Sequence, residues 1–111
     1  ISMAMSTASD TIKLVVFNAC FSEAQAQSVV DYVDAAIGMS TSIGDEAACV
    51  FASQLYSAIG FGLSLQTAFR QAIAQLMLEG IEEENTPKLY IQDGLDANDI
   101  VFVHLPTNPA V

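Results

Sequence analysis

Val15-Val16-Phe17-Asn18-Ala19-Cys20-Phe21-Ser22 carries an apolar run straight into a cysteine and then into a helix start. Extended back to Ile12, the run is continuous and rich in valine, the pattern of a parallel strand covered on both faces. Open α/β sheets gather their reactive groups at the carboxyl ends of their strands, which is where this stretch puts Cys20. A nucleophilic thiol needs a base, and the chain's one histidine, His104, stands near its other end.

Working outward, Ser22 with Gln25 three residues on has the capping-box pattern, and a helix is predicted from there to about Tyr32. Ala35-Ala36-Ile37-Gly38-Met39 reads as a second short buried strand. Ser42 to Asp45 offers a hydroxyl and negative charge to the positive end of a long helix, which carries Ala47, Val50, Phe51, Leu55 and Ile59 on one face and ends at Gly60 to Gly62. Ser64 opens another helix, bearing Leu65, Ala68, Phe69, Ala72, Ile73, Leu76 and Met77 and stopping at Gly80. Lys88 to Gln92 and Ile100 to His104 read as two further strands, and Ile1 to Asp10 as the tail of a preceding helix and its loop.

The order β-α-β-α-α-β-β predicts an α/β fold, a doubly wound and mostly parallel sheet with flanking helices. So small a sheet leaves the Ile12 to Ala19 strand short of cover, and more strands are expected upstream. The start at Ile1 in place of methionine suggests a processed or truncated product. Residues 1–111 are therefore expected to be the C-terminal part of a single domain.

At 52% hydrophobic residues the chain can bury a continuous core, yet no apolar run approaches the roughly 20 residues of a membrane span. The first ten residues lack the basic region and apolar core of a signal peptide. A soluble, cytoplasmic protein is expected. Three basic residues, Lys13, Arg70 and Lys88, stand against thirteen acidic ones, so neither nucleic acid nor an anionic membrane is an expected partner. The acidic runs Glu79 to Glu84 and Asp93 to Asp99 read as solvated loop faces. Cys20 and Cys49 are too few for a disulfide scaffold and differ in context, which favours reduced thiols; Cys49, between Ala48 and Val50, reads as a packing residue. There is no GxGxxG or Walker A pattern, no GxSxG, and no His/Cys/carboxylate cluster of metal-ligand type, so no metal and no cofactor is expected.

Lys13 to Ser22, Ala36-Ile37-Gly38-Met39-Ser40, Gly44-Asp45-Glu46-Ala47-Ala48 with Phe51 and Tyr56, and Ser64 with Ala68 together resemble the C-terminal half of a CHAT domain. These are bacterial caspase-like cysteine peptidases, related more distantly to caspases, separases and gingipains. The resemblance runs from about Lys13 to Val103. It implies that Cys20 is the nucleophile and that its partner is a histidine followed by glycine, at the end of the strand preceding the cysteine strand and hence upstream of this chain. It also implies a regulated proteolytic effector in bacterial stress or phage defence, governed by sensor domains elsewhere in the polypeptide or complex. The order of that pair assigns His104 to a strand end and not to the base.

The chemistry suits these positions. A thiol becomes a useful nucleophile when a neighbouring imidazolium or helix N-terminus favours its ionised form, and the helix expected to start after Ser22 is expected to aim its amides at Cys20. The backbone N–H of Cys20 is the expected oxyanion donor, with a second from the His-Gly segment. The resemblance further implies that Asn18 and the stretch Met39, Ser40 and Thr41 line the pocket for the side chain preceding the scissile bond, with Asp45 nearby. An acidic side chain there would want an arginine, and Arg70 belongs to a distant amphipathic helix, so a basic or neutral P1 is expected, with Asp45 either its counter-ion or simply a helix-terminus charge. Glu23 departs from the family pattern, which usually has glycine there. The competing reading is a non-catalytic α/β protein-interaction module in which Cys20 packs and the acidic face binds a partner.

Overall fold

The computed structural model describes residues 2–6 and 12–103. Its elements are β1 (Ser2–Ser6), β2 (Ile12–Phe17), α1 (Glu23–Val29), β3 (Ala35–Met39), α2 (Asp45–Gly60), α3 (Leu65–Leu78) and β4 (Pro87–Ile91), followed by a 3-10 turn at Ala97–Asp99. The strands form one sheet in the order β1-β2-β3-β4. Among the described residues only β2 and β3 run parallel, with Leu14 opposite Ala35 and Val16 opposite Ile37; β1 lies antiparallel to β2, and β4 antiparallel to β3.

This α/β architecture is a mixed sheet, not the mostly parallel one expected. The difference arises at both flanks. Residues 2–6 are a strand, not the end of a helix, and their backbone pairs antiparallel with β2, satisfying its N–H and C=O row on that side. The alternation Ser2-Met3-Ala4-Met5-Ser6 carries that period-2 signal. At the other end, Ile100 to Val103 forms no strand. The Ile100 carbonyl instead accepts the N–H of Leu65 at the start of α3, while Ile100 and Phe102 pack against the core. That segment caps a helix and covers the core in place of extending the ladder. His104 lies outside the described residues.

Alternation along the strands builds three layers. Leu14 and Val16 of β2, with Ala35, Ile37 and Met39 of β3, join one apolar cluster with Ala47, Phe51, Leu55, Ala58 and Ile59 of α2 and Leu65, Ala68, Ala72 and Leu76 of α3. The rings of Phe51 and Phe69 meet edge to face, with centroids 5.8 Å apart. On the opposite face, Gly38 lets α1 approach β3 closely. A Cβ at Gly38 would lie 2.7 Å from the Ser22 carbonyl oxygen and 2.8 Å from the Ala26 Cβ, so only glycine admits the helix at this height.

The helix termini follow the sequence in part. Ser64 caps α3 by accepting the N–H of Thr67 at 3.2 Å. Both α2 and α3 end in the Schellman pattern, with Gly62 and Gly80 at positive φ; Leu63 N–H returns to Ala58 and Ile81 N–H to Leu76. Ser22, by contrast, makes no capping bond to α1, and the N-cap of α2 is Gly44, not Ser42. Helix α1 stops at Val29, short of Tyr32, because the chain turns there to bring Val33 into the core and enter β3. Two packing expectations also fail: Met77 is exposed on the outer face of α3, and Cys49 is exposed on α2.

Candidate functional site

Because β2 and β3 are parallel, their carboxyl ends open on the same edge of the sheet, and the residues following each strand meet there. Asn18, Ala19 and Cys20 leave β2; Ser40, Thr41 and Ser42 leave β3. The turn after β2 is tight. Phe21 has φ +55, the left-handed region in which a bulky side chain is strained, at a cost of about 1–3 kcal/mol. Its N–H donates to the Thr41 carbonyl at 3.3 Å, so the turn is held against the β3 exit.

The Cys20 residue is exposed, and its sulfur accepts the N–H of Ile43 at 3.4 Å while lying 3.8 Å from the Ile43 carbonyl. The donor expected at this thiol was the start of α1. That helix is only seven residues long, and the amide that reaches the sulfur comes instead from the loop leading into the sixteen-residue α2.

Of the other expected pocket residues, Thr41 and Asp45 are exposed and Asn18 is half-buried. Met39 is fully buried in the core and offers the edge no side-chain surface. Ser40 is occupied on the β4 side: its N–H and its hydroxyl both donate to the Thr86 carbonyl, at 2.9 and 3.1 Å. The edge therefore presents Asn18, Cys20, Thr41 and Asp45 to solvent, with Ser40 as part of its frame.

A further carboxylate joins this edge. The Glu83 carboxylate accepts the N–H of Gly44, at 3.1 Å to one oxygen and 3.4 Å to the other, which places a third carboxylate beside Asp45 and Glu46 at the start of α2. Within the acidic run Glu83 looked like part of a solvated loop. Its place follows from antiparallel pairing: Pro87 lies opposite Met39, so residues just before Pro87 must adjoin those just after Met39.

Glu23 also has a defined partner. The Tyr90 hydroxyl of β4 donates to its carboxylate, tying α1 to the far strand. Burial, then that hydrogen bond, then the carboxylate's charge push the Tyr90 phenol from its ordinary 10.0 up to about 12. The folded chain thus holds the phenolic proton more tightly than the unfolded one. Tyr90's contribution to stability is present in full below pH 10 and is lost as pH rises through about 12. Alkaline absorbance titration should show a tyrosine ionising near that upper value, lost in Tyr90→Phe and moved to lower pH in Glu23→Gln; an unmoved midpoint in Glu23→Gln would contradict the pairing.

Two depressions flank β2. One of about 330 Å³, lined by Lys13, Asp34, Leu95, Asp96 and Phe102, lies beside the Lys13–Asp34 ion pair (3.3 Å), at the opposite end of the strand from the thiol. The other is a shallow, largely apolar groove next to the Cys20 turn, formed by Phe17, Phe21, Ala24, Val29 and Tyr32. Among the described residues no His, Cys, Asp and Glu group is arranged to hold a metal ion, and no helix is long and apolar enough to cross a membrane. No protein-family model matches the chain, and no curated protein matches it significantly.

Proposed function

We propose that this chain is the nucleophile-bearing, C-terminal part of a caspase-like cysteine endopeptidase of the CHAT type, with Cys20 attacking the scissile peptide carbonyl. The observation that carries the reading is the position of the thiol: exposed, at the shared carboxyl edge of the parallel β2–β3 pair, on a strained turn, with its sulfur facing an amide donor. A thiol held against a backbone N–H at an open sheet edge is fixed where it can meet a substrate carbonyl. A structural cysteine serves best buried in the core, and this one is not.

In the proposed reaction the Cys20 sulfur forms a bond to the carbonyl carbon while its proton passes to a histidine supplied by another segment. The tetrahedral oxyanion is held by the Cys20 N–H and a second amide donor. Collapse breaks the C–N bond, and the amine leaves with the proton from the imidazolium. Water, deprotonated by the same histidine, then releases the acid and restores the thiol. No metal or cofactor enters these steps.

Asn18, Ser40 and Thr41 frame the subsite, Met39 lies buried beneath it, and Asp45 faces the P1 side chain. With three carboxylates at the start of α2, a basic or neutral P1 residue suits this edge better than an acidic one. The protein is proposed to act in the cytoplasm on a protein or peptide substrate, as an effector of bacterial stress or phage defence under sensor domains elsewhere in the polypeptide or complex.

A peptide carrying a thiol-reactive group at its C-terminus tests the reading in the complete, activated polypeptide. Labelling is expected at Cys20 and not at Cys49, which is also exposed, and an arginyl or neutral P1 peptide should outcompete an aspartyl one. Equal labelling of both cysteines, or none, would favour an interaction module in which Cys20 has no chemical role.

A further inference from the structure

We infer that Ser22 is a positioning residue for the Cys20 thiol. Expected as a helix cap, it is instead 1% exposed and its hydroxyl makes two bonds across the sheet: Oγ accepts the N–H of Met39 at 3.0 Å and donates to the Phe17 carbonyl at 3.3 Å. Phe17 is the last residue of β2, and Met39 the last of β3.

The need for this bridge lies in how the parallel pair ends. The β2–β3 register runs only to Val16 opposite Ile37, and the Phe17 carbonyl and the Met39 N–H lie past that last pair. There the absence of a side chain at Gly38 lets the Ser22 backbone sink onto β3. The hydroxyl then bonds to each of the two strand ends, satisfying a buried N–H that would otherwise carry a desolvation cost.

The consequence reaches Cys20 through a short closed loop. Residues 18–21 are anchored at Phe17 and at Ser22, whose hydroxyl joins both ends to β3, and Phe21 N–H is bonded to Thr41. With these three points held, the sulfur is presented to the Ile43 N–H. Without the hydroxyl, the strand ends are free to slide, and a displacement of even 1 Å at a reacting group is costly. Ser22 touches no substrate in this scheme; it acts through Cys20. Its bearing on turnover rests on the peptidase reading, whereas its hold on the thiol stands independently of it.

The test uses Ser22→Ala, Ser22→Thr and Ser22→Cys in the complete polypeptide, each with Cys49→Ser. Iodoacetamide at one fixed pH labels Cys20, and peptide mapping reads that site separately. In Ser22→Ala, alkylation is expected to slow about fivefold, the factor an ordinary hydrogen bond is worth, because the turn no longer holds the sulfur in place. The NMR signal of the Ile43 amide should move toward its position in Cys20→Ala. Ser22→Thr, which keeps the hydroxyl, should return both readouts to within about twofold of the parent. Where cleavage is measurable, kcat is expected to fall about tenfold or more in Ser22→Ala while KM changes little.

A folded Ser22→Ala chain with unchanged alkylation and an unmoved Ile43 signal overturns the inference, even if it melts earlier. If Ser22→Ala does not fold, Ser22→Cys, close in volume with a weaker hydrogen bond, takes its place, and a parental Cys20 labelling rate there refutes the assignment. Parental chains that alkylate as expected but never cleave would retire the peptidase reading and leave Ser22 in its role.

Discussion

Cys20→Ala is expected to lower cleavage by the complete polypeptide by on the order of 10⁴–10⁶-fold, the scale on which removal of an enzyme's covalent nucleophile acts. Stability should hardly change. The side chain is exposed, and its sulfur makes only long contacts to the Ile43 backbone, so its loss is expected to cost no more than about 0.5 kcal/mol, as for other surface substitutions. The combination is diagnostic, because a packing cysteine would show the reverse, with lost stability and retained turnover. Single-turnover cleavage of a peptide with arginine at P1, set beside chemical denaturation of the same preparations, measures both quantities. Cys49→Ser is the internal control: exposed on the outer side of α2, it should leave both unchanged. Retained cleavage in Cys20→Ala would sink the peptidase proposal outright.

Phe51→Ala is expected to destabilise the fold by about 3–5 kcal/mol, the usual cost of a large core cavity. Phe51 is the largest of the fully buried side chains, packs edge to face on Phe69, and belongs to the cluster that seats α2 against β2 and β3. Against a typical total of about 5–15 kcal/mol, that loss leaves the chain marginal at best. The midpoint of denaturant unfolding reads it, with Met77→Ala, exposed on α3, as the near-neutral comparison. A change below about 1 kcal/mol would mean that the helical layer does not depend on this ring, contrary to the packing described. Loss of α2 seating would also disturb Ile43 and Gly44, which lie just ahead of the helix, so the same variant is expected to slow Cys20 alkylation.

Much of the framework was legible from residue order. The valine-rich run from Ile12, the buried quintet Ala35–Met39, and the 3- and 4-residue spacing of Ala47, Phe51, Leu55 and Ile59 each carry a local period, and each formed the expected element. Gly62 and Gly80 closed their helices because a left-handed residue is what a Schellman ending requires. The failures came where a local pattern had two uses. Ile100 to Val103 is as apolar as a strand, yet its backbone was claimed by the first turn of α3. Ser22 has the spacing of a cap, yet its hydroxyl found better partners in two strand ends. Met77 continues the apolar spacing of α3 but is exposed, outside the buried face formed by Leu65, Ala68, Ala72 and Leu76.

By itself, the sequence determined that a cysteine follows a buried strand and that a helix-rich α/β layer surrounds it, because hydrophobic period and glycine punctuation are properties of neighbouring residues. The direction of each strand, the identity of its partner, and the group that meets the sulfur are properties of residues far apart in the chain, and only the tertiary structure decided them. Pairing β4 antiparallel to β3 carried Glu83 to the start of α2; pairing β2 parallel to β3 brought Ile43 to Cys20 and left the gap that Ser22 fills. A thiol at the end of a strand is written in eight consecutive residues. The surroundings that give it chemical character are assembled by sheet pairing, whose hydrogen bonds any backbone can make and whose register therefore leaves little mark on residue type.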